Sequence, residues 1–204
     1  MKLLRKIFLV LLAAGMGFFS VFRLLYSSGN SAFLSAFSFP LPGGDAAGTV
    51  SGILTLAVPV FCLAAVFLDE VFPAATLITS AIGLAAGLLT FVLTAGFTEW
   101  KLLLFAFLLL LALFAVFLGI FRQNARNRTA PVPVGMALIC LLLFLVSVFG
   151  GVDLSPFVVV QELSFGKFGG HFSIFTAVLH LFCYDLFLLF YTGAALWMPE
   201  RTKK

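Results

Sequence analysis

The sequence predicts an all-α fold: a polytopic membrane protein built as a six-helix transmembrane bundle, one integral domain over residues 1–204, with the N- and C-termini cytoplasmic. Three observations predict it. Hydrophobic residues make up 63% of the chain and charged residues 10%, where soluble domains carry about a quarter charged residues. Mean hydropathy is +1.21. The apolar residues fall into six runs, each near the roughly 20 residues needed to cross the hydrocarbon core. This composition excludes a soluble globular domain, a disordered chain, a disulfide scaffold and a collagen-like chain. It leaves no room for a folded extramembrane domain, so any chemistry is expected inside the bilayer, at its surfaces or on a partner.

The first span, about 7–25, follows Lys2, Arg5 and Lys6. It has the basic start and small residues of a secretory signal, but the apolar run passes Ala13–Gly17 and continues to Phe22, which predicts an uncleaved anchor. Residues 27–49 form a loop rich in Ser, Gly and Pro without Lys or Arg. The second span, about 50–68, ends at Asp69-Glu70; Pro59 within it is expected to kink the helix and to line a pocket. The third, about 73–97, starts with Pro73, suited to a first helical turn. A polar turn, Thr98–Lys101, leads to the fourth, about 102–121, which has no charge and shows Leu and Phe on nearly every side. It is expected to face lipid widely. A loop with Arg122, Arg126 and Arg128 precedes Pro131 and Pro133, which open the fifth span, about 133–150. A long loop, about 152–171, leads to the sixth, about 172–197, and a basic tail.

Cytoplasmic loops of membrane proteins carry excess Lys and Arg. Six spans put Lys2, Arg5, Lys6, Arg122, Arg126, Arg128, Arg201, Lys203 and Lys204 on one side and Arg23, Lys101 and Lys167 on the other. The bias favours cytoplasmic termini and a bacterial inner membrane. It also accounts for the net charge of +4 without nucleic acid as a partner. Asp69 and Glu70 are the acidic exceptions on the basic side. Trp100 and Trp197 fall at the expected interfaces.

Cys62, Cys140 and Cys183 lie far apart in apolar runs, so neither a CxxC redox centre nor a disulfide framework is expected. His171 and His180 form no HExxH-type pair, and no metal site is expected. There is no GxSxG and no P-loop. The sequence therefore predicts no enzyme and no cofactor.

Ala75, Thr79, Gly83 and Gly87 recur every four residues on one face of the third span. Small residues let helices approach closely, so this face is expected to serve helix packing, within the bundle or against another subunit. Ala13-x-x-x-Gly17 is a weaker step of the same kind. The sixth span carries the candidate binding residues. On a wheel of about 100° per residue, Ser173, His180, Tyr184, Tyr191 and Thr192 fall within an arc of about 140° around Asp185. Phe172, Phe175, Leu179, Phe182, Leu186, Leu189 and Phe190 lie opposite and are expected to meet lipid. An aspartate at a helix centre costs about 2.5–3.5 kcal/mol on insertion scales, and such residues commonly serve ions, protons or substrates. Asp185, His180, Tyr184, Tyr191 and Thr192 are therefore the substrate- or ion-binding candidates; the alternative for Asp185 is a carboxyl that locks two helices together.

The outer loops are apolar enough to lie in the interface or to cap the bundle. Asp45, Glu99, Asp153, Glu162 and Lys167 would form the rim of a lidded pocket. Two functions are expected from this pattern. One is a substrate-binding or membrane subunit of a small-molecule transport system, with a membrane or ATPase partner subunit. The other is a non-catalytic scaffold or assembly subunit of a larger complex. In size, helix count, topology and apolar outer lid the chain resembles the substrate-binding components of energy-coupling-factor transporters. That resemblance is one of shape and covers no motif; it implies a partner helix against a small-residue face such as that of the first or third span.

Overall fold

The computed structural model describes residues 2–27, 45–69, 71–72, 74–95, 100–150, 160–165, 170–177 and 180–197. The fold is helical, with six long helices, one short helix and a two-stranded hairpin among the described residues. In order these are α1 (Lys2–Ser27), α2 (Asp45–Leu68), α3 (Ala75–Ala95), α4 (Trp100–Phe121), α5 (Gln123–Thr129), α6 (Pro131–Gly150), β1 (Val160–Phe165), β2 (Gly170–Ala177) and α7 (His180–Leu196). Residues 28–44 of the first loop, Glu70, Pro73, Glu99, Asp153 and Lys167 lie outside the described residues.

Local sequence explains most of the helix ends. α2 begins at Asp45. Pro131, which has no amide hydrogen to leave unpaired, opens α6. Between α4 and α6, the segment read as a loop forms the short helix α5, with Arg126 turned inward and Arg122 and Arg128 exposed.

The last helix departs from expectation. The expected span at 172–197 starts instead at His180, and Phe172, Ser173, Phe175 and Ala177 lie on β2. β1 and β2 pair antiparallel, with Leu163 opposite Phe172, Ser164 opposite His171 and Phe165 opposite Gly170. The pairing shifts register between Gln161 and Leu163. A short run of Phe, Ile and Thr behind Gly169-Gly170 satisfies a strand as well as a helix, and a helical wheel laid across it cannot tell the two apart.

One helical window, Leu3–Ser20, is long and apolar enough to cross a membrane among the described residues. Shorter apolar stretches run Leu56–Leu68, Ala75–Leu89, Ala106–Phe121 and Tyr184–Leu196.

α7 occupies the middle of the bundle. It packs against α1, α3, α4 and α6, while α2 packs against α1 and α3. Leu188, Leu189 and Leu196 are fully buried, and Leu186, Phe187 and Phe190 pack against the core. The expected lipid-facing side of this helix is thus covered: the Phe187 ring lies 5.7 Å from that of Phe19 on α1. α4 buries one side, with Leu109, Ala112 and Val116, and exposes Phe107, Leu110, Phe114, Phe117 and Phe121.

α3 meets α7 at Gly83 and Gly87, and positions 76 and 80 share that side of the helix. Thr76 and Ser80 are fully buried, Gly83 lies against Leu188, and Gly87 lies against Asp185. Spacings of four, three and four keep these positions within about 60° on a wheel of 100° per residue. Strict steps of four drift about 40° each, so Ala75 lies about 120° around the helix from Gly87. Ser80 donates to the Thr76 carbonyl at 2.7 Å, within its own helix, and the half-buried Thr79 donates to that of Ala75 at 3.0 Å.

Two glycines give contrasting expectations. At Gly193 an added Cβ would sit 2.5 Å from Val134 Cγ2 and 3.5 Å from the Ala130 carbonyl oxygen, whereas at Gly135 nothing lies within 4 Å. Gly193→Ala is expected to destabilise the bundle by about 1–3 kcal/mol through overpacking. Gly135→Ala is expected to stabilise it by about 0.5–1 kcal/mol, the helix preference of Ala over Gly. Thermal midpoints of the purified variants in one detergent check this order.

Candidate functional site

Two polar regions interrupt the apolar interior. The first surrounds Asp185, which is fully buried on α7. Gly87 of α3 makes room for it: a Cβ there would stand 3.4 Å from Asp185 Oδ1 and the same distance from Leu109 Cδ1 of α4. Cys140 of α6 is buried within electrostatic range of the carboxyl. Asp185 therefore stands where α3, α4, α6 and α7 meet.

The other candidates on α7 are distributed unevenly around it. Tyr184 is buried beside Asp185 in sequence. Tyr191 is fully buried, and its hydroxyl donates to the Cys62 carbonyl of α2 at 2.9 Å. Thr192 is fully buried and donates to the Leu188 carbonyl at 2.8 Å. These two hydroxyls tie helices together or bond along their own helix. His180 is the first residue of α7, about 7.5 Å along the axis from Asp185 at 1.5 Å per residue. Ser173 is on β2 and leaves the group. Pro59 is buried in α2; its close neighbour on α1 is Gly17, where an added Cβ would lie 3.8 Å from the Pro59 Cβ.

The second region, at the end of the bundle that holds Arg5, was not among the sequence candidates. Arg5 Nη1 donates to Asp69 Oδ2 at 3.0 Å, with both side chains 9% exposed. The second Asp69 oxygen accepts from Thr76 Oγ1 at 3.1 Å. Arg5 also donates through Nε to the Ala194 carbonyl at 3.0 Å and through Nη2 to that of Ala195 at 3.3 Å. Arg126 Nη2 reaches the same Ala195 oxygen at 3.4 Å.

The chemistry of this cluster follows from how helices end. The last carbonyls of a helix have no amide partner within it and carry partial negative charge. The α7 carbonyl of Gly193 accepts from the Trp197 amide, and the next two accept from arginines. Asp69 then balances the charge that Arg5 brings. Burial, with Arg5 nearby, lowers the Arg126 guanidinium to about 10, against the raising influence of Asp69; it stays protonated at neutral pH. One signal in the sequence pointed here: Asp69 is an acid among basic helix ends. Among the described residues no group of three or more His, Cys, Asp or Glu side chains is placed to hold a metal.

No family model, curated protein or solved structure matches the chain.

Removing the Arg5 guanidinium leaves a buried carboxylate without its cation, takes the side-chain donor from the Ala194 carbonyl and leaves that of Ala195 to Arg126 alone. Arg5→Gln is expected to destabilise the fold by about 3–5 kcal/mol, as breaking a buried pair does. Asp69→Asn keeps the shape and is expected to cost about 1.5–3 kcal/mol, the worth of a charged hydrogen bond. Denaturant unfolding in mixed micelles measures both; an unchanged Arg5→Gln protein would show that the cluster does not hold α7.

Proposed function

We propose that the chain is an integral multi-pass membrane protein that binds a small solute or ion at Asp185, as the substrate-binding or membrane subunit of a transport system in a bacterial inner membrane. The observation that carries this reading is a fully buried carboxyl at the meeting point of four helices, inside a bundle whose outer surface carries many apolar side chains. Leu11 and Phe18 of α1, Val60 and Phe61 of α2, Phe114 of α4 and Leu142 of α6 are all more than half exposed. Contiguous apolar surface of that kind belongs against lipid or protein, and a lipid setting makes a central carboxyl a functional group by default. Helices of 26, 24, 21, 22 and 20 residues (α1, α2, α3, α4 and α6) reach about 30–39 Å at 1.5 Å per residue, enough for a hydrocarbon core about 30 Å thick. The excess of Lys and Arg at the Arg5 end supports an orientation with that end in the cytoplasm.

Native mass spectrometry of gently extracted protein tests the reading. A reproducible small molecule or ion is expected on the native chain. Asp185→Asn, which keeps the shape and removes the charge, is expected to weaken its retention about 10–100-fold, equivalent to a charged hydrogen bond of 1.5–3 kcal/mol, with an unchanged thermal midpoint. Equal retention in the two proteins removes Asp185 as the binding group. A stoichiometric protein partner with no bound small molecule supports the scaffold function instead.

A further inference from the structure

The short helix α5 joins the long helices α4 and α6 at the end of the bundle that holds Arg5. Its two sides differ. Arg126 turns inward to the end of α7, whereas Arg122 and Arg128 are exposed. Arg122 directly follows α4, whose exposed side is a column of large apolar residues: Phe107, Leu110, Phe114, Phe117 and Phe121. Spacings of three, four, three and four keep that column within about 80° on a wheel of 100° per residue. It runs about 21 Å at 1.5 Å per residue, longer than one leaflet's half of a hydrocarbon core about 30 Å thick. Its last two rings, Phe117 and Phe121, lie 4.4 Å apart. Trp197, which follows the end of α7, is exposed at the same end. The charge there is one-sided. Among the described residues the carboxylate at this end is Asp69, and Arg5 and Thr76 occupy its two oxygens. Arg122 and Arg128 make no ion pair among the described residues.

We infer that Arg122 and Arg128 hold the headgroup phosphate of an anionic phospholipid whose acyl chains lie along the Phe column of α4. The inference rests on the membrane reading above and on no role of Asp185. Its physical basis is complementarity of charge and polarity at one place. A guanidinium can give a phosphate two parallel N–H bonds, and basic residues at a cytoplasmic membrane surface attract anionic lipid. An indole such as that of Trp197 sits at headgroup level. A soluble anion would meet the arginines without using the column, and an apolar protein surface would meet the column without satisfying the arginines. The two lie end to end on one stretch of chain, so a molecule with a negative head and a long apolar tail fits both.

The experiment uses the full-length chain in mild detergent, titrated with equal amounts of dioleoyl phosphatidylglycerol and dioleoyl phosphatidylcholine, with bound lipid counted by native mass spectrometry. Phosphatidylglycerol is expected to be retained about tenfold over phosphatidylcholine, and high salt is expected to reduce that ratio. Arg122→Gln with Arg128→Gln is expected to bring the ratio near one, with an unchanged thermal midpoint in lipid-free detergent because both side chains are exposed. Phe117→Ala with Phe121→Ala is expected to lower retention of both lipids alike. Equal retention of the two lipids by the native chain overturns the site. So does a preference that survives the double Gln variant, or retention indifferent to the Phe pair. Displacement of phosphatidylglycerol by an equal concentration of inorganic phosphate also overturns it, since a free anion would then be the occupant. The membrane reading is tested apart, by washing native membranes with alkaline carbonate. A chain released by the wash loses both readings; a chain that stays in the washed membranes and shows no lipid preference loses this site alone.

Discussion

The bundle depends on how the end of its central helix is satisfied. α7 sits between α1, α3, α4 and α6, so its terminal carbonyls emerge among other helices. Unpaired carbonyls there would cost as much as lost hydrogen bonds. Arg5 supplies donors to two of them and Arg126 adds one to the second. A guanidinium suits the task because its donors are spread in a rigid fork, which lets one side chain reach a carboxylate and two carbonyls at once. Asp69 then keeps Arg5 from being a lone buried charge, and Thr76 occupies the remaining carboxylate oxygen. Five segments of the chain meet in a cluster of four side chains and two carbonyls.

The second constraint is steric. Close approach of α3 to α7 requires small residues where the helices cross, and Gly83 and Gly87 provide them against Leu188 and Asp185. Gly15 does the same for Phe187 on the α1 side, where an added Cβ would meet the ring at 2.7 Å. The small-residue faces of α1 and α3 are therefore occupied within the chain at these positions. The apolar surface left over lies on other faces: Phe18 on α1, Ile78 and Ile82 on α3, and the Phe row of α4.

These two constraints place the polar groups in a definite order. The charged cluster is at one end, the hydroxyl and carbonyl layer of Tyr191 and Cys62 is next, and Asp185 is deepest. Each layer joins a different set of helices, and α7 bears a residue of every layer.

Composition and periodicity carried much of the helical architecture. Long apolar runs, the proline that opens α6 and the acid or arginine at helix ends were legible because they depend on local backbone chemistry. Asp185 was legible too, since a carboxyl inside an apolar run stands out without knowledge of its neighbours. The strand at Gly170–Ala177 was not, because eight residues of mixed aromatic and β-branched type fit either period and pairing with β1 decided between them. The buried surround of α7 was equally hidden: a wheel shows that a face is apolar but not whether lipid or another helix covers it. Arg5 and Asp69 are 64 residues apart, and Arg5 and Ala195 are 190 apart. The sequence by itself determined which residues were charged and which helix ends they marked. Only the tertiary structure decided that they meet, because a buried charge takes its partner from whichever chain segment packing brings within reach.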